Sequence, residues 1–347
     1  MSKPKWYWNW GLSLLFITFV CLLLLFIDST FRMKDLASPP KASQVKENTN
    51  RRVFLISQEL DNPYWRTLEQ GAQEASERYG MQLTYEGPSR INPSEQTRLL
   101  EKALAAKADA IVLQGVNEQQ YQTLIHKAAL QGVPVVAVDT DDPASDRLTY
   151  VGTDNVEAGK QMGGLVANSM GSGGNIGVLV GSEQAENQQQ RLEGFRSVIR
   201  KYPQLAIVDV KSSAISRLQA ARQAEAMLEQ YPQIRIMIGF SALDAPGIME
   251  AAQRIRPGEV QIFAFDDVSE TLEGIQNGQI ASAIVQHPYD MGFKAISLLH
   301  DYFLGNTPQP QNYTDITVID RSSLGTPTGG LIPAPASKAE YMKESSP

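Results

Sequence analysis

The chain has 347 residues, 42% of them hydrophobic, and a formal charge of -7. An acidic balance argues against a nucleic-acid partner, whose phosphates call for a basic face, and the length suits two domains of ordinary size. A single cysteine, Cys21, excludes an internal disulfide framework and any Cys-rich metal centre, while His126, His287 and His300 are scattered without metal-ligand spacing.

Residues 11–27 carry no charge and are rich in Leu, Phe and Ile. Trp6, Tyr7, Trp8 and Trp10 stand just ahead, where an interfacial aromatic belt would lie. The rival interpretation is a cleavable signal peptide. No small-x-small site follows promptly, and Cys21 lacks the small residues that lipoprotein cleavage requires before it. The expectation is an uncleaved membrane anchor over residues 1–30. Lys3 and Lys5 on one side nearly balance Arg32 and Lys34 on the other, so flanking charge does not orient it. Residues 31–52 are polar, contain Pro39 and Pro40, and predict a flexible stalk. Residues 326–347, rich in Pro, Gly, Ser and Ala, predict a disordered tail.

Strands alternate with helices in between. An apolar run at 53–57 ends at Asp61-Asn62-Pro63, and Tyr64 and Trp65 follow at once. Leu68, Ala72, Ala75 and Tyr79 then recur at helical spacing, with Gly80 as a stop. A strand at 82–85 precedes Asn92-Pro93-Ser94-Glu95, which opens a helix with Asn at the cap and Pro in the first turn. Strands at 110–114 and 133–138 enclose a helix at 118–131. In the second half, strands are predicted at 175–180, 206–210, 234–239, 261–265 and 281–285, with helices centred near Phe195, Ala221, Met249 and Ile275. A helix at 289–304 and a strand at 316–319 close the pattern. Strands this apolar are buried on both faces, as in parallel sheets covered by helices. Two doubly wound α/β units fit better than one large sheet, and such sheets bind ligands beyond the carboxyl ends of their strands.

Those ends are polar. Asn62, Tyr64 and Trp65 follow the first strand, Gln114 ends the third, and Asp139 ends the fourth. Ser241, Asp266 and Gln286 occupy the corresponding places in the second half. Any one of them suits a turn or a helix cap. Together they supply amides that donate and accept, carboxylates that accept strongly, and flat rings, which is what a neutral polyol demands. The acidic run Asp139, Asp141, Asp142 has two interpretations: a site for an amino sugar or another cation, or, more simply, turn chemistry ahead of Pro143.

The segments Asp61-Asn62-Pro63-Tyr64-Trp65, 132–139, 151–155, 191–195, 263–267 and 280–286, in this order and spacing, resemble the type I periplasmic sugar-binding proteins. That family includes the ribose-binding protein and the effector domains of lactose-repressor-like regulators. The resemblance implies two doubly wound parallel-sheet lobes joined by a three-crossing hinge. The first lobe would comprise residues 53–153 plus 287–313, and the second 154–286 plus 314–325. It implicates Tyr64 and Trp65 as plates against a sugar, Asn62 as a bonding amide, and Asp139, Asp266 and Gln286 as polar ligands. Thr140 and Gln189 stand where the ribose-binding pattern has arginines, Ser241 where it has an Asn, and Gly115, beside Gln114, where it has another. Sugar binding is therefore better supported than ribose as the ligand.

No catalytic residue, cofactor or metal is expected. The glycine-rich stretch at 171–175 precedes a strand, whereas a dinucleotide fingerprint must follow one. No Gly-x-Ser-x-Gly elbow sits at a strand end. A DNA-binding regulator of this family would carry a helix-turn-helix where this chain has its apolar run. The expectation is an extracytoplasmic, membrane-tethered monosaccharide or polyol receptor that signals to a sensor histidine kinase. The alternative is the substrate-binding subunit that serves an ABC permease.

Overall fold

The structure, a computed structural model, describes residues 51–116, 118–169 and 173–324. The expected anchor, nearly all of the stalk and the tail lie outside the described residues. Among the described residues, no helix is long and apolar enough to cross a membrane.

The first part of the chain runs β1 (Arg52–Ile56), α1 (Pro63–Tyr79), β2 (Gln82–Glu86), α2 (Pro93–Ala105), β3 (Ala110–Gln114), α3 (Gln119–Leu130), β4 (Val135–Val138) and β5 (Thr149–Thr153). It continues as α4 (Asn155–Ser169), β6 (Gly174–Val180), α5 (Glu186–Ile199), β7 (Leu205–Ser212), α6 (Arg217–Gln230), β8 (Ile234–Gly239) and α7 (Asp244–Ile255). The remainder is β9 (Gln261–Phe265), α8 (Ser269–Gln276), β10 (Ser282–Gln286), α9 (Pro288–Phe303), β11 (Gln311–Thr314) and β12 (Ile316–Asp320).

The strands form two six-stranded sheets, ordered β11-β5-β4-β3-β1-β2 and β12-β10-β9-β8-β6-β7. All pairings are parallel except that of β12 with β10. The chain passes between the sheets three times: from Thr153 to Asn155, from Gln286 to Pro288, and from Thr314 to Ile316. The two-lobed α/β fold expected from the sequence is the fold observed.

Successive strand side chains point to opposite faces, so each sheet carries two cores. On one face of the first sheet, Val53, Leu55, Val112, Val136 and Val138 pack with Trp65 and Leu68 of α1 and Met291 and Ile296 of α9. On the other, Phe54, Ile56, Ile111 and Leu113 pack with Leu100 of α2 and Tyr121 of α3. The second sheet repeats this with Ile176, Val178, Ile238 and Phe265 against α4 and α5, and Leu179, Met237 and Ala283 against α6 and α7.

Helix starts follow from local chemistry. Asn62 accepts the Tyr64 N–H at 3.0 Å, with Pro63 in the first turn, and Asn92 accepts the Glu95 N–H at 3.2 Å. The strand expected to begin at Val133 begins at Val135. The Val133 N–H is spent closing α3, on Ala128 O, and Pro134 has no N–H to give. Three elements were not anticipated: β5, α4 and β11. Trp65 is 2% exposed within its core cluster. Trp65→Ala is expected to lower stability by about 3–5 kcal/mol through lost burial and an unfilled cavity. Urea denaturation measures this, and a loss under about 1 kcal/mol would remove Trp65 from the core.

Candidate functional site

The polar strand ends of the two sheets meet around the crossings. At the end of β4, Asp139 holds a left-handed backbone, φ 63°. At the end of β9, in the corresponding place of the second sheet, Asp266 has φ 62°. Left-handed geometry is rare for residues with a Cβ, and aspartate is among the few that tolerate it. It turns each carboxylate out of the ladder at the same level of its lobe.

Asp139 is amply bonded. Its carboxylate accepts Tyr64 Oη at 2.9 Å, Gln114 Nε2 at 3.1 Å and Thr140 Oγ1 at 3.1 Å. Its main-chain carbonyl accepts Tyr150 Oη at 2.8 Å. Burial, then the carboxylates of Asp139 and Asp266, hold the Tyr64 hydroxyl well above the usual phenol range. That hydroxyl is therefore a donor at neutral pH, and it feels a charge from each lobe.

Asp266 has fewer partners. Gln286 Nε2 donates to its Oδ1 at 3.0 Å. Burial pushes its carboxyl from the ordinary 3.8 up to about 6, with Arg191 and the Gln286 hydrogen bond opposing that rise. Arg191 is itself 2% exposed. Its guanidinium donates to Asn155 Oδ1 at 2.8 Å, Phe240 O at 2.8 Å and Gln286 Oε1 at 2.7 Å, and lies 4.4 Å from the Phe265 ring centroid. Thr153 Oγ1 also donates to Gln286 Oε1, at 3.0 Å. Gln286 thus links the end of β5, the cation on α5 and the carboxylate after β9.

Most of the sequence-predicted residues come together: Tyr64, Gln114, Asp139 and Thr140 in one network, Asp266 and Gln286 in another. Ser241 is buried just past the end of β8, its N–H on Asp244 Oδ2 at 2.8 Å and its hydroxyl turned to the same carboxyl. Asn62 is committed to its own turn, capping α1 and donating to Glu59 at 3.2 Å. Trp65 sits in the core, with its ring edge-on to Tyr64 at 5.9 Å. Gln189 is not brought to either network. It is exposed and donates to Glu183 O at 2.7 Å, because its position on α5 faces away from the sheet. Arg191 was legible only as part of a family segment. Its signal was a lone cation on the helix face that carries Phe195 and Ile199.

The two members of the acidic run beyond Asp139 are bonded within the protein. Asp141 pairs with Arg147 through both oxygens, and Asp142 Oδ1 accepts Gln122 Nε2 at 3.0 Å. Among the described residues, no group of three or more His, Cys, Asp or Glu side chains could hold a metal ion.

Two hinged α/β lobes with buried carboxylates and amides at facing strand ends define a two-lobed binding protein. Residues 53–307 match the periplasmic binding protein domain family. GanP, a glucose-galactose binding protein from Geobacillus stearothermophilus, has a solved structure that is 36% identical, with a TM-score of 0.77 over 80% of this chain and 99% of its own. XylFII is 33% identical, with a TM-score of 0.72 over 78% of this chain and 99% of its own, and its complex with LytSN matches at 0.73. The ribose import binding protein RbsB of Bacillus subtilis (strain 168) is 23% identical over 274 residues, 78% of this chain and 88% of the relative. The chain belongs to the type I periplasmic sugar-binding protein family.

Proposed function

We propose that this chain is the extracytoplasmic receptor for a neutral monosaccharide or polyol, which it clamps between its lobes, and that the closed form signals to a sensor histidine kinase. The observation that carries the ligand class is the pair of left-handed aspartates, Asp139 and Asp266, one at the same strand end of each lobe. Carboxylates flanked by the amides of Gln114 and Gln286 accept and orient hydroxyls. Among the described residues, the guanidinium beside Asp266, that of Arg191, gives its hydrogen bonds to protein acceptors, so an acidic ligand would meet two carboxylates without a free guanidinium donor. Relatives named for glucose, galactose and ribose favour the same class.

A ligand bonded to both aspartates binds the closed form better and shifts the population toward it. The three short crossings would absorb the rotation as a hinge. Solution of the relative XylFII together with a second protein, LytSN, favours a receptor that reports to a protein partner. Supply to an ABC permease is the second reading, favoured by the import binding proteins among the relatives. Residues 11–27 would hold the body outside the cytoplasm, and protease added to intact cells should then remove it. Protection until lysis would reverse that topology.

The test of binding is a thermal-shift screen of the full-length chain in detergent against D-glucose, D-galactose, D-ribose and sugar acids. A neutral sugar should raise the melting temperature and reduce the radius of gyration in scattering. Stabilisation by sugar acids alone would overturn the ligand class, and tight binding without compaction would overturn the clamp.

The raised Asp266 carboxyl adds a pH dependence. Below about 6 the folded protein holds a proton that an ordinary carboxyl releases near 3.8. Ionisation is thus disfavoured in the native state, and this group's contribution to stability falls as pH rises from 4 to 6. Sugar hydroxyls donate to the ionised form, so affinity should move the opposite way, weakening about tenfold from pH 7 to pH 5. Calorimetry across that range checks it, and a flat profile would show that Asp266 does not meet the ligand as an anion.

A further inference from the structure

The two lobes follow one plan, and their closest helix contacts set the correspondence residue by residue. In the first lobe, a Cβ on Gly71 of α1 would stand 1.9 Å from Tyr289 O, and one on Gly292 of α9 would stand 2.0 Å from Leu68 O. In the second lobe, a Cβ on Gly194 of α5 would stand 2.0 Å from Val156 O, and one on Gly159 of α4 would stand 2.0 Å from Arg191 O. α5 therefore repeats α1, with Gly194 in the place of Gly71 and Arg191 in the place of Leu68. The same register puts Asn187 in the place of Tyr64, each the second residue of its helix.

Tyr64 spans the space from α1 to Asp139 with a 2.9 Å hydrogen bond. The matching carboxylate in the second lobe is Asp266, with nearly the same φ. Asparagine is shorter than tyrosine by most of a ring, and among the described residues no hydrogen bond joins it to Asp266. Asn187 is 7% exposed, and its buried Oδ1 has no hydrogen-bond partner. Native proteins rarely leave such a group unmet unless a ligand or water completes it. Gln189, two residues along α5, is exposed and bonded to Glu183 O.

We propose that Asn187 is a specificity-determining ligand contact, and that its amide and the Asp266 carboxylate together take adjacent hydroxyls of a neutral sugar ring. The amide accepts from one hydroxyl and donates to it or its neighbour, while the carboxylate accepts. The second lobe thus offers hydrogen-bonding capacity where the first has satisfied its aspartate internally. This rests on the sugar-binding reading above.

The test is calorimetry on the full-length chain in detergent, with D-glucose, D-galactose and D-ribose and then the monodeoxy analogues of whichever binds. Asn187→Ala is expected to weaken binding about 10- to 100-fold, with Gln189→Ala unchanged. One monodeoxy analogue should bind wild type poorly yet lose nothing further in Asn187→Ala. If Asn187→Ala fails to fold, Asn187→Leu keeps the bulk, removes both acceptor and donor, and should show the same loss. Variants that bind as wild type does, or a loss equal for every deoxy analogue, overturn the inference alone. A folded wild type that binds none of the three sugars overturns it together with the reading beneath it.

Discussion

Arg191→Leu is expected to lower the stability of the folded chain by about 3–5 kcal/mol, the range for breaking a buried charged network by removing one member. Leucine matches the residue that holds the same helix position in the first lobe, Leu68, so size is not the difficulty. The loss comes from what Arg191 leaves behind. Asn155 Oδ1, Phe240 O and Gln286 Oε1 each lose a charged donor, and Asp266 loses the cation that most opposes its rise in pKa. Thr153 still donates to Gln286, so that acceptor keeps one partner. Because Asn155 ends the first crossing and Gln286 begins the second, sugar binding should fall with stability. Urea denaturation of wild type and variant gives the difference. A loss below about 1 kcal/mol would mean that the network adds little beyond ordinary surface pairs.

Asp266→Asn is expected to weaken sugar binding by about 2–4 kcal/mol while disturbing the unliganded fold far less. The amide keeps the shape and can still bond Gln286, but it accepts without charge. Since Asp266 has one direct partner at present, its remaining acceptor capacity falls to the ligand. Asp139→Asn should instead affect stability more evenly with binding, because three side-chain donors in its own lobe depend on that carboxylate. Calorimetry paired with melting curves separates the two. An Asp266→Asn variant that binds a sugar like wild type would move the ligand away from β9.

Most of the fold was legible because each sheet is buried on both faces, and uninterrupted apolar runs such as residues 110–113 and 236–239 leave little choice of structure. What escaped had physical reasons. α4 contains Gly159, Gly163 and Gly164, which lower helix propensity. Gly159 and Gly163 sit where a Cβ would strike α5. β11 is the polar edge strand Gln311–Thr314, with no alternation to announce it. In the site, turn and strand-end positions pointed to Asp139 and Asp266, which lie at corresponding strand ends of the two sheets. Position on α5 could not be settled by motif alignment, because two residues of helix separate an exposed Gln189 from a buried Asn187 or Arg191. Which of them faces the sheet depends on where the helix starts, and the helix N-terminus lacks a side-chain cap to mark it.

The strands β11 and β12 have a consequence for how the chain is made. They are separated by the single residue Asp315, yet β11 completes the first sheet beside β5 and β12 completes the second beside β10. Neither lobe can close its outer edge until the last described stretch has been synthesised and delivered. Up to that moment β5 and β10, the strands from which the first two crossings leave, expose unpaired backbone on one side, the kind of edge that recruits foreign strands. A chain stopped at residue 310 would carry two such open edges at once. The step that protects both lobes from aggregation is therefore a late and shared one.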